Sequence, residues 1–350
     1  MDPVRLGVVG CGVIAQHHLR GAKASPLIEV VAVADVREEE AKQTAAKFGI
    51  PKVYTSAEAL LKDKRIEAVV LAVPAAPRMK LALKAFARGK HVLTEKPVAM
   101  NAREVRKLIA ARGDLVAGCC SSRMRFQPSA EAVAQYIASG ALGTIRAVQC
   151  RCVSPDRGAP KSPPPAWRLI KALNGGGILV NWGCYDLDYL LGICGWKLKP
   201  SFVLAQTWPV APELVSHVAP GSDAETYFAS IIRCEGGEMI SFERGEYCAA
   251  EYEDSWRIVG TKASLRLNMV PGEKKIFADE SSPETGVTTR ILWQGSEGWD
   301  IPLMGPVQDF AAAVREGRAP KTSLEQALIV QQIADGIYAS AAKGKAVAIR

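Results

Sequence analysis

The sequence predicts an α/β protein, with a doubly wound parallel sheet in its first part and a large, open, mostly antiparallel sheet in its second. Up to about residue 122, short apolar runs alternate with helical patterns, as in right-handed β-α-β units. The run 66–73 is continuously apolar, as expected of a strand that helices cover on both faces. Between 201 and 268, strand-like runs follow one another through short turns, which predicts antiparallel pairing. We therefore place one domain at residues 1–122 and a second at 123–350.

The first domain is predicted to contain six strands with helices between them. Gly49 and Gly89 are placed to end two helices, while Ser56 and Asn101 are placed to begin two others. Pro74 and Pro77 are expected to end the fourth strand, and the next helix is predicted to begin at about residue 78. The strands are predicted at 6–9, 28–34, 53–54, 66–73, 91–94 and 115–119.

The second domain is predicted to begin with a helix at 128–139 and a strand at 144–153. Residues 154–165 contain five prolines and predict an irregular loop. A helix follows the three glycines at 175–177. The remaining elements are strands at 202–207, 225–233, 238–244, 255–259 and 264–267, then helices at 307–315 and 323–342.

The composition is that of an ordinary globular protein, with 48% hydrophobic and 23% charged residues and a net charge of +8. Lys and Arg are scattered, which favours a solvated basic surface over a nucleic-acid site. No apolar run approaches about 18 residues and the chain start runs straight into a strand, so we expect neither a membrane span nor a signal peptide. Nine cysteines without disulfide spacing and four dispersed histidines predict reduced thiols, a cytoplasmic location and no metal site.

Residues 10–15, GCGVIA, form a G-x-G-x-x-A motif between the first strand and a helix. Gly10 allows a sharp turn, Gly12 allows a pyrophosphate to approach, and Ala15 allows close helix packing. The next strand ends in Asp35, where a carboxylate is expected to meet a ribose 2′-hydroxyl. We predict a dinucleotide-binding domain at 1–122. Its cofactor contacts are predicted at Gly10, Gly12, Val13, Ile14, Asp35, Arg37, Pro74, Glu95 and Lys96.

The identity of the dinucleotide rests on two neighbouring residues. Asp35 favours NAD because a carboxylate repels a 2′-phosphate, whereas Arg37 is able to pair with such a phosphate or to stack on adenine. We expect NAD, with NADP as the alternative.

Two segments carry residues suited to chemistry. Lys96 follows a strand, at the edge where doubly wound sheets bind ligands. Pro97 fixes the turn that carries Lys96, and the peptide bond before it is a candidate for the cis form. On the helix after residue 177, Asn181, Tyr185 and Asp188 occupy one face. A surface role for Lys96 and a buried structural role for Tyr185 are the alternatives.

The chain resembles the Gfo/Idh/MocA family of NAD(P)-dependent oxidoreductases over essentially its whole length. The resemblance rests on GCGVIAQHH at 10–18, EKP at 95–97, RFQP at 125–128, WR at 167–168, GGGILVNWGCYDLD at 175–188 and the ending at 323–347. It implies a Rossmann domain, then an α/β domain that holds the substrate and forms a homodimer or homotetramer through its sheet. Most members act on sugars, polyols or their derivatives.

The resemblance also implies roles for individual residues. Lys96 matches the catalytic lysine that polarises the reacting oxygen. The family helix most often carries Asp and then His, where this chain has Asn181 and Tyr185, so a tyrosine takes the place of the histidine, as in glucose–fructose oxidoreductase and dimeric dihydrodiol dehydrogenase. A nearby ammonium would lower the tyrosine pKa from about 10. A second departure is Ala75 and Arg78, where the family usually has Asn and His.

The predicted function is therefore hydride transfer between nicotinamide and a secondary alcohol or ketone of a sugar or polyol. Lys96 and Tyr185 are the predicted catalytic residues. Two alternatives stay open: a glycosidase or lyase that uses tightly bound NAD in an internal redox cycle, and a non-catalytic dinucleotide-binding sensor. The substrate contacts are predicted at Arg125, Trp167, Arg168, Asn181 and Tyr185, with an ion-pair role as the alternative for Arg168.

Overall fold

The computed structural model describes residues 2–161 and 164–350, which form two compact units. The first unit contains the chain up to Arg123 together with Asp300–Gln331, and the second contains Met124–Trp299 with Gln332–Arg350. The predicted division into a dinucleotide-binding domain at residues 1–122 and a substrate-binding domain at residues 123–350 stays a prediction. Residues 300–331, however, belong to the first unit, because apolar side chains such as Phe310 and Leu324 are buried in its core.

The first unit is built on a six-stranded parallel sheet in the order β3-β2-β1-β4-β5-β6, which confirms the predicted doubly wound fold. Its strands are β1 Val4–Val9, β2 Ile28–Ala34, β3 Val53–Tyr54, β4 Ala68–Leu71, β5 His91–Thr94 and β6 Ala117–Cys119. Its helices are α1 Val13–Lys23, α2 Glu38–Phe48, α3 Ala57–Lys62, α4 Ala75–Phe86 and α5 Ala102–Arg112. As predicted, Ser56 and Asn101 cap α3 and α5 through their side chains.

The strand register aligns the carboxyl ends of four neighbouring strands. Val9 pairs with Ala34 on one side and with Leu71 on the other, and Leu71 pairs with Thr94. The residues that follow these strand ends therefore lie along one edge of the sheet. This edge carries the glycine loop, Asp35 and Glu95.

Helix α4 begins at Ala75, earlier than the predicted residue 78. Pro74 is its N-cap residue, and Pro77 lies in the first turn, where a helix needs no backbone N–H donor. The two prolines therefore belong to the start of the helix, and β4 has already ended at Leu71.

The second unit contains a nine-stranded sheet in the order β14-β13-β12-β11-β7-β10-β9-β8-β15, antiparallel except where β7 meets β10. This confirms the predicted large, mostly antiparallel sheet. The strands are β7 Ile145–Pro155, β8 Pro200–Trp208, β9 Tyr227–Cys234, β10 Met239–Cys248, β11 Glu253–Gly260, β12 Ala263–Leu267, β13 Glu273–Ser282, β14 Gly286–Ser296 and β15 Val347–Ala348. The helices are α6 Pro128–Ala138, α7 Lys171–Asn174 and α8 Cys184–Ile193.

Strands β13 and β14 were not predicted from the sequence. Most residues of β14 are exposed, so the strand has no regular apolar face to produce a period-two pattern. The predicted loop 154–165 begins later than expected because β7 continues to Pro155, and its residues 162 and 163 lie outside the described residues.

The last two helices are α9 Asp300–Glu316 and α10 Leu324–Lys343. Both were predicted, but α9 begins at Asp300 rather than at residue 307, because the helix continues through Pro306. Helix α9 packs on α1. Across residues 2–161 and 164–350, no helix is both long enough and apolar enough to cross a lipid bilayer.

Candidate active site

The glycine loop of the first unit leaves room for a ligand at the start of α1. Gly10 has a φ of +94°, and a Cβ there would lie 2.4 Å from the Ala72 carbonyl oxygen, so this position requires glycine. Gly12 is the N-cap of α1, and a Cβ there would meet no heavy atom within 4 Å. The space beside Gly12 adjoins the positive end of the helix dipole, which suits a phosphate.

Asp35 is fixed beside this loop. One of its carboxylate oxygens accepts the Cys11 N–H at 2.8 Å, and the other accepts the Arg37 N–H at 2.9 Å. The side chains of Val13 and Val36 flank this region and are 81% and 88% exposed. A fixed carboxylate between exposed apolar side chains suits a ribose that carries an adenine ring. The residues present therefore fit the adenosine diphosphate half of NAD.

Glu95, which precedes Lys96, is the centre of a buried ionic network. Its carboxylate accepts a hydrogen bond from His18 Nε2 at 2.8 Å and pairs with the Arg123 guanidinium. Burial alone would raise the pKa of Glu95, but Arg123 and His18 outweigh this effect and hold the pKa well below its usual range. The other carboxylate oxygen accepts the Lys96 backbone N–H at 3.2 Å, so the network holds the Lys96 turn in place. The Lys96–Pro97 peptide bond is cis.

Arg78 supports the same turn and was recognised in the sequence only as a departure from the family pattern. It is 2% exposed and donates to the Glu95 carbonyl at 2.8 Å and to the carbonyls of Pro97 and Val73. An arginine among the apolar positions of α4 is the signal that could have identified it. Arg78 therefore positions the backbone on both sides of Lys96.

His18, Glu95 and Cys120 bring three metal-ligand atoms within 4.8 Å of one another. Their chemistry fits an ion-pair network better than a metal centre. Arg123 already neutralises the carboxylate, and burial raises the pKa of the Cys120 thiol well above its usual value, so this thiol stays protonated.

In the second unit, Tyr185 and Asn181 occupy consecutive turns of a continuous helical segment. Residues Leu179–Gly183 form a π-helical turn, which leads into α8. The side chains of Asn181 and Tyr185 are buried, at 8% and 5% exposed. π-helical turns are rare and often occur at functional sites, and this one was not predicted from the sequence.

The start of this segment is fixed by Glu225, a residue that the sequence analysis missed. Its carboxylate accepts the backbone N–H groups of Gly177 and Leu179 at 3.0 and 3.1 Å and the Tyr338 hydroxyl at 2.9 Å. A Cβ at Gly177 would lie 1.8 Å from the Glu225 carbonyl oxygen, and one at Gly176 would lie 1.9 Å from the Tyr338 hydroxyl. These two glycines therefore serve close packing of the protein chain.

Arg125 and Asp188, both singled out in the sequence, form a buried ion pair. Arg125 Nε lies 2.6 Å from Asp188 Oδ1, and the guanidinium lies over the Trp196 ring. The predicted substrate role of Arg125 stays a prediction beside this structural one.

A cavity of about 650 Å³ lies beside this helix within the second unit. Its wall includes Arg168, Trp182, Arg244 and Glu246. Arg168 pairs with Glu246, and Arg244 Nη2 lies 2.7 Å from Asp186 Oδ1, so both cations are neutralised by carboxylates. Trp182 lies under the Arg244 guanidinium, and its ring makes an edge contact with Tyr185 at 5.7 Å between centroids. The cavity wall is thus continuous with the Tyr185 ring.

The structure places the predicted residues in two groups. Gly10, Gly12, Val13, Asp35 and Lys96 belong to the first unit, as do Ile14, Arg37, Pro74 and Glu95. Arg168 lines the cavity of the second unit, whereas Trp167, Asn181 and Tyr185 are not among the lining residues found in the described chain. Trp167 is 40% exposed. The predicted joint action of Lys96 and Tyr185 connects residues of different units and stays a prediction.

Two family sequence profiles match the chain. The profile described as "Oxidoreductase family, NAD-binding Rossmann fold" matches residues 4–114, and the Gfo/Idh/MocA C-terminal domain matches residues 130–266. The first match covers the glycine loop, Asp35 and Lys96, and the second covers Arg168, Asn181 and Tyr185.

Individual relatives carry dehydrogenase names. Levoglucosan dehydrogenase of Pseudarthrobacter phenanthrenivorans is 24% identical, with 98% of this chain and 97% of that protein covered. Mouse trans-1,2-dihydrobenzene-1,2-diol dehydrogenase is 34% identical over 58% of this chain and 59% of that protein. A solved structure of levoglucosan dehydrogenase with NADH and levoglucosan superposes with a TM-score of 0.85 at 23% identity, covering 99% of each chain, which establishes likeness of fold.

Proposed function

The chain belongs to the Gfo/Idh/MocA family of oxidoreductases, and from this premise we propose that it is an NAD-dependent dehydrogenase or reductase of a sugar, a polyol or a sugar derivative. The observation that carries the proposal is the alignment of the glycine loop, Asp35 and the Lys96 turn along the carboxyl edge of one parallel sheet. Such an edge is where doubly wound sheets bind their ligands.

The cofactor contacts follow from this edge. Gly10 allows the turn, Gly12 leaves space for the pyrophosphate, and Asp35 accepts hydrogen bonds from the adenosine ribose. We favour NAD over NADP because the Asp35 carboxylate would repel a 2′-phosphate, although Arg37 stands beside it. When bound, the nicotinamide supplies the acceptor or donor of a hydride.

Lys96 and Tyr185 are assigned to the reacting hydroxyl. We propose that the Lys96 ammonium holds the oxygen and that the Tyr185 hydroxyl takes or returns its proton. The Glu95 network and Arg78 support this role for Lys96, because they fix the turn that carries it. The position of Tyr185 against Trp182 supports the role of Tyr185, because Trp182 lines the cavity.

The cavity of the second unit supports a hydroxylated substrate without net charge. Two of its three arginines, Arg168 and Arg244, are each paired with a carboxylate. The described wall as a whole has no excess of positive charge to attract an anion, because it contains three arginines and four carboxylates, the arginines being Arg157, Arg168 and Arg244 and the carboxylates Asp156, Glu246, Glu253 and Asp254. Two relatives are named as dehydrogenases of levoglucosan and of a dihydrobenzenediol, both neutral vicinal diols on a ring. Trp182 offers such a ring an apolar surface.

We also propose a homodimer or homotetramer formed through the sheet of the second unit. Leu204 of β8 pairs with Ile231 of β9, and these side chains are 52% and 45% exposed. Phe202 of β8 and Met239 of β10 lie on the same surface of the sheet and are 49% and 38% exposed. Such an apolar patch is typical of an interface.

We propose a cytoplasmic location as well, because all nine cysteines are free thiols.

The proposal is tested by following the reduced-nicotinamide absorbance of the purified protein with a panel of neutral sugars, anhydrosugars and inositols, and with NAD or NADP. Turnover with NAD and a neutral polyol is the expected result. If absorbance is unchanged but a dinucleotide is released on denaturation, an internal-redox glycosidase or lyase replaces the proposal. If nothing turns over and added NAD binds reversibly, a non-catalytic sensor replaces it.

A further inference from the structure

Besides the cavity in the second unit, a cavity of about 560 Å³ lies in the first unit, at the end of the parallel sheet opposite the glycine loop. Glu67, just before β4, and His91, the first residue of β5, are both in its wall. Gly10, in contrast, follows the last residue of β1. The four residues of β4 separate the two ends by roughly 13 Å, at about 3.3 Å per residue. This cavity is therefore distinct from the dinucleotide site.

The wall of this cavity carries an excess of positive charge. Lys62, Lys64, Arg88, Lys90 and Arg315 contribute five cations, and Glu67 is the one carboxylate among its described lining residues. Glu67 is already neutralised, since its carboxylate oxygens lie 2.7 Å from Arg315 Nη2 and 3.0 Å from Arg5 Nη2. The remaining cations thus face the cavity without a compensating carboxylate in its wall.

Lys90 is the most informative of these cations because it is only 4% exposed. Its ammonium donates to the carbonyl oxygens of Asp63 and Ile66 at 2.8 and 2.7 Å, which uses two of its three N–H groups. Within the described chain, no carboxylate lies within ion-pair distance of it. Burial lowers the pKa of the Lys90 ammonium, and the negative charge of Asp63, which acts in the opposite direction from beyond ion-pair distance, compensates this effect only in part. An anion in the cavity would compensate this charge.

His91 adds a neutral donor. Its Nδ1 accepts the Val116 backbone N–H at 2.8 Å, so the proton of the neutral ring lies on Nε2. Burial is the largest of the effects that lower the pKa of His91, and the Arg315 cation acts in the same direction. The ring is therefore neutral at physiological pH and offers one N–H group.

We propose that this cavity binds a small phosphorylated molecule, in addition to the dinucleotide at the opposite edge. Phosphate oxygens accept hydrogen bonds from Lys, Arg and neutral His and bring the negative charge that Lys90 lacks. The volume lies in the range of small-molecule sites, about 300–1,000 Å³, and exceeds what a bare phosphate needs. A phosphate ester of a small metabolite is the class of ligand that fits.

The test uses the full-length protein with saturating NADH, so that the dinucleotide site is filled. Calorimetric titrations compare glucose 6-phosphate, inorganic phosphate and glucose at constant ionic strength. We expect binding of glucose 6-phosphate, weaker binding of inorganic phosphate and none of glucose. The Lys62→Ala/Arg88→Ala double variant should weaken the phosphate ester at least tenfold. The Arg106→Ala/Lys107→Ala variant, which removes the same charge from the exposed face of α5, should not.

The signal of the His91 ring, assigned with a His91→Gln variant, locates the ligand by NMR. Glucose 6-phosphate should shift this signal and raise the pKa of His91, while His17 and His18, on the dinucleotide helix, stay unchanged. Absence of binding, equal weakening in both double variants, or a shift confined to His17 and His18 would each overturn the proposal. None of these results depends on turnover, so the proposed catalytic function stands or fails separately.

Discussion

His18 and Glu95 are 77 positions apart in the chain, yet Nε2 of the first lies 2.8 Å from Oε1 of the second, and both side chains are buried. His18 belongs to the helix that begins at the glycine loop, and Glu95 precedes Lys96. This hydrogen bond therefore connects the helix proposed to bind the pyrophosphate with the turn that carries the proposed catalytic lysine.

The Glu95→Gln variant should be strongly destabilised, because it keeps the side-chain size but leaves the Arg123 cation without its carboxylate. Breaking a buried pair in this way costs about 3–5 kcal/mol. The folded-state pKa of Glu95 lies below its unfolded value of about 4.3, so its contribution is present above that value and is lost as the pH falls through the folded pKa. Denaturant unfolding at pH 7 and pH 3 should show that the stability difference between the wild type and Glu95→Gln becomes smaller at pH 3, where part of the Glu95 contribution is lost. Glu29→Gln, at an exposed site, should behave like the wild type.

Two glycine substitutions should have opposite consequences. Gly10→Ala should destabilise the fold, because it combines a φ of +94° with a contact of 2.4 Å to a backbone oxygen. Gly12→Ala should leave the melting temperature nearly unchanged, because its Cβ meets no protein atom. It should nevertheless weaken NADH binding at least tenfold by filling the space proposed for the pyrophosphate. A stable Gly12→Ala protein with normal NADH affinity would contradict the assigned cofactor position.

The cofactor preference should respond to Asp35. Asp35→Asn removes the charge that repels a 2′-phosphate, so kcat/KM with NAD should fall and the ratio of NADP to NAD activity should rise about tenfold or more. Steady-state kinetics with both cofactors measure this ratio. Arg37→Ala should change the ratio in the opposite direction, and an unchanged ratio in Asp35→Asn would refute the ribose contact.

Catalysis should depend on one tyrosine of helix α8 and not on its neighbour. Tyr185→Phe and Lys96→Met should each lower kcat by about 10²–10⁴-fold, the usual contribution of a positioned proton donor. Tyr189→Phe is the matched control, because the Tyr189 hydroxyl is buried and makes no hydrogen bond to the described residues. It should retain full activity. Equal losses in both tyrosine variants would indicate a packing effect rather than chemistry.

The assembly should depend on the apolar part of the sheet surface. Leu204→Lys combined with Ile231→Lys should produce monomers in light scattering, because it places two charges in the proposed interface. Gln43→Lys, at an exposed position of α2 in the first unit, should keep the oligomer. A wild-type protein that is monomeric at all concentrations would exclude this interface.

Local sequence patterns predicted much of the fold. The alternation of apolar runs and helices, the caps at Ser56 and Asn101 and the glycine loop depend on neighbouring residues, so they are readable without knowing the tertiary structure. The placement of Asp35 was also predictable, because motif and strand end occur at a fixed separation.

Contacts between distant segments were not predictable in this way. The His18–Glu95–Arg123 network, the support of the Lys96 turn by Arg78 and the cap formed by Glu225 each join residues that no local pattern connects. The three glycines at 175–177 are an example, because the close contacts of Gly176 with Tyr338 and of Gly177 with Glu225 arise from segments far away in the sequence. Strand β14 was not predicted, because most of its residues are exposed and the strand therefore lacks the alternation of apolar and polar residues on which strand prediction depends.

The return of residues 300–331 to the first unit has a consequence for how the protein is made. Val307, Phe310 and Leu324 belong to the apolar core around the parallel sheet, which is otherwise formed by the first 123 residues. A ribosome must therefore synthesise nearly the whole chain before this core can close. Until then, the nascent first unit exposes the apolar surface that α9 and the start of α10 later cover, and such transiently exposed surface favours aggregation.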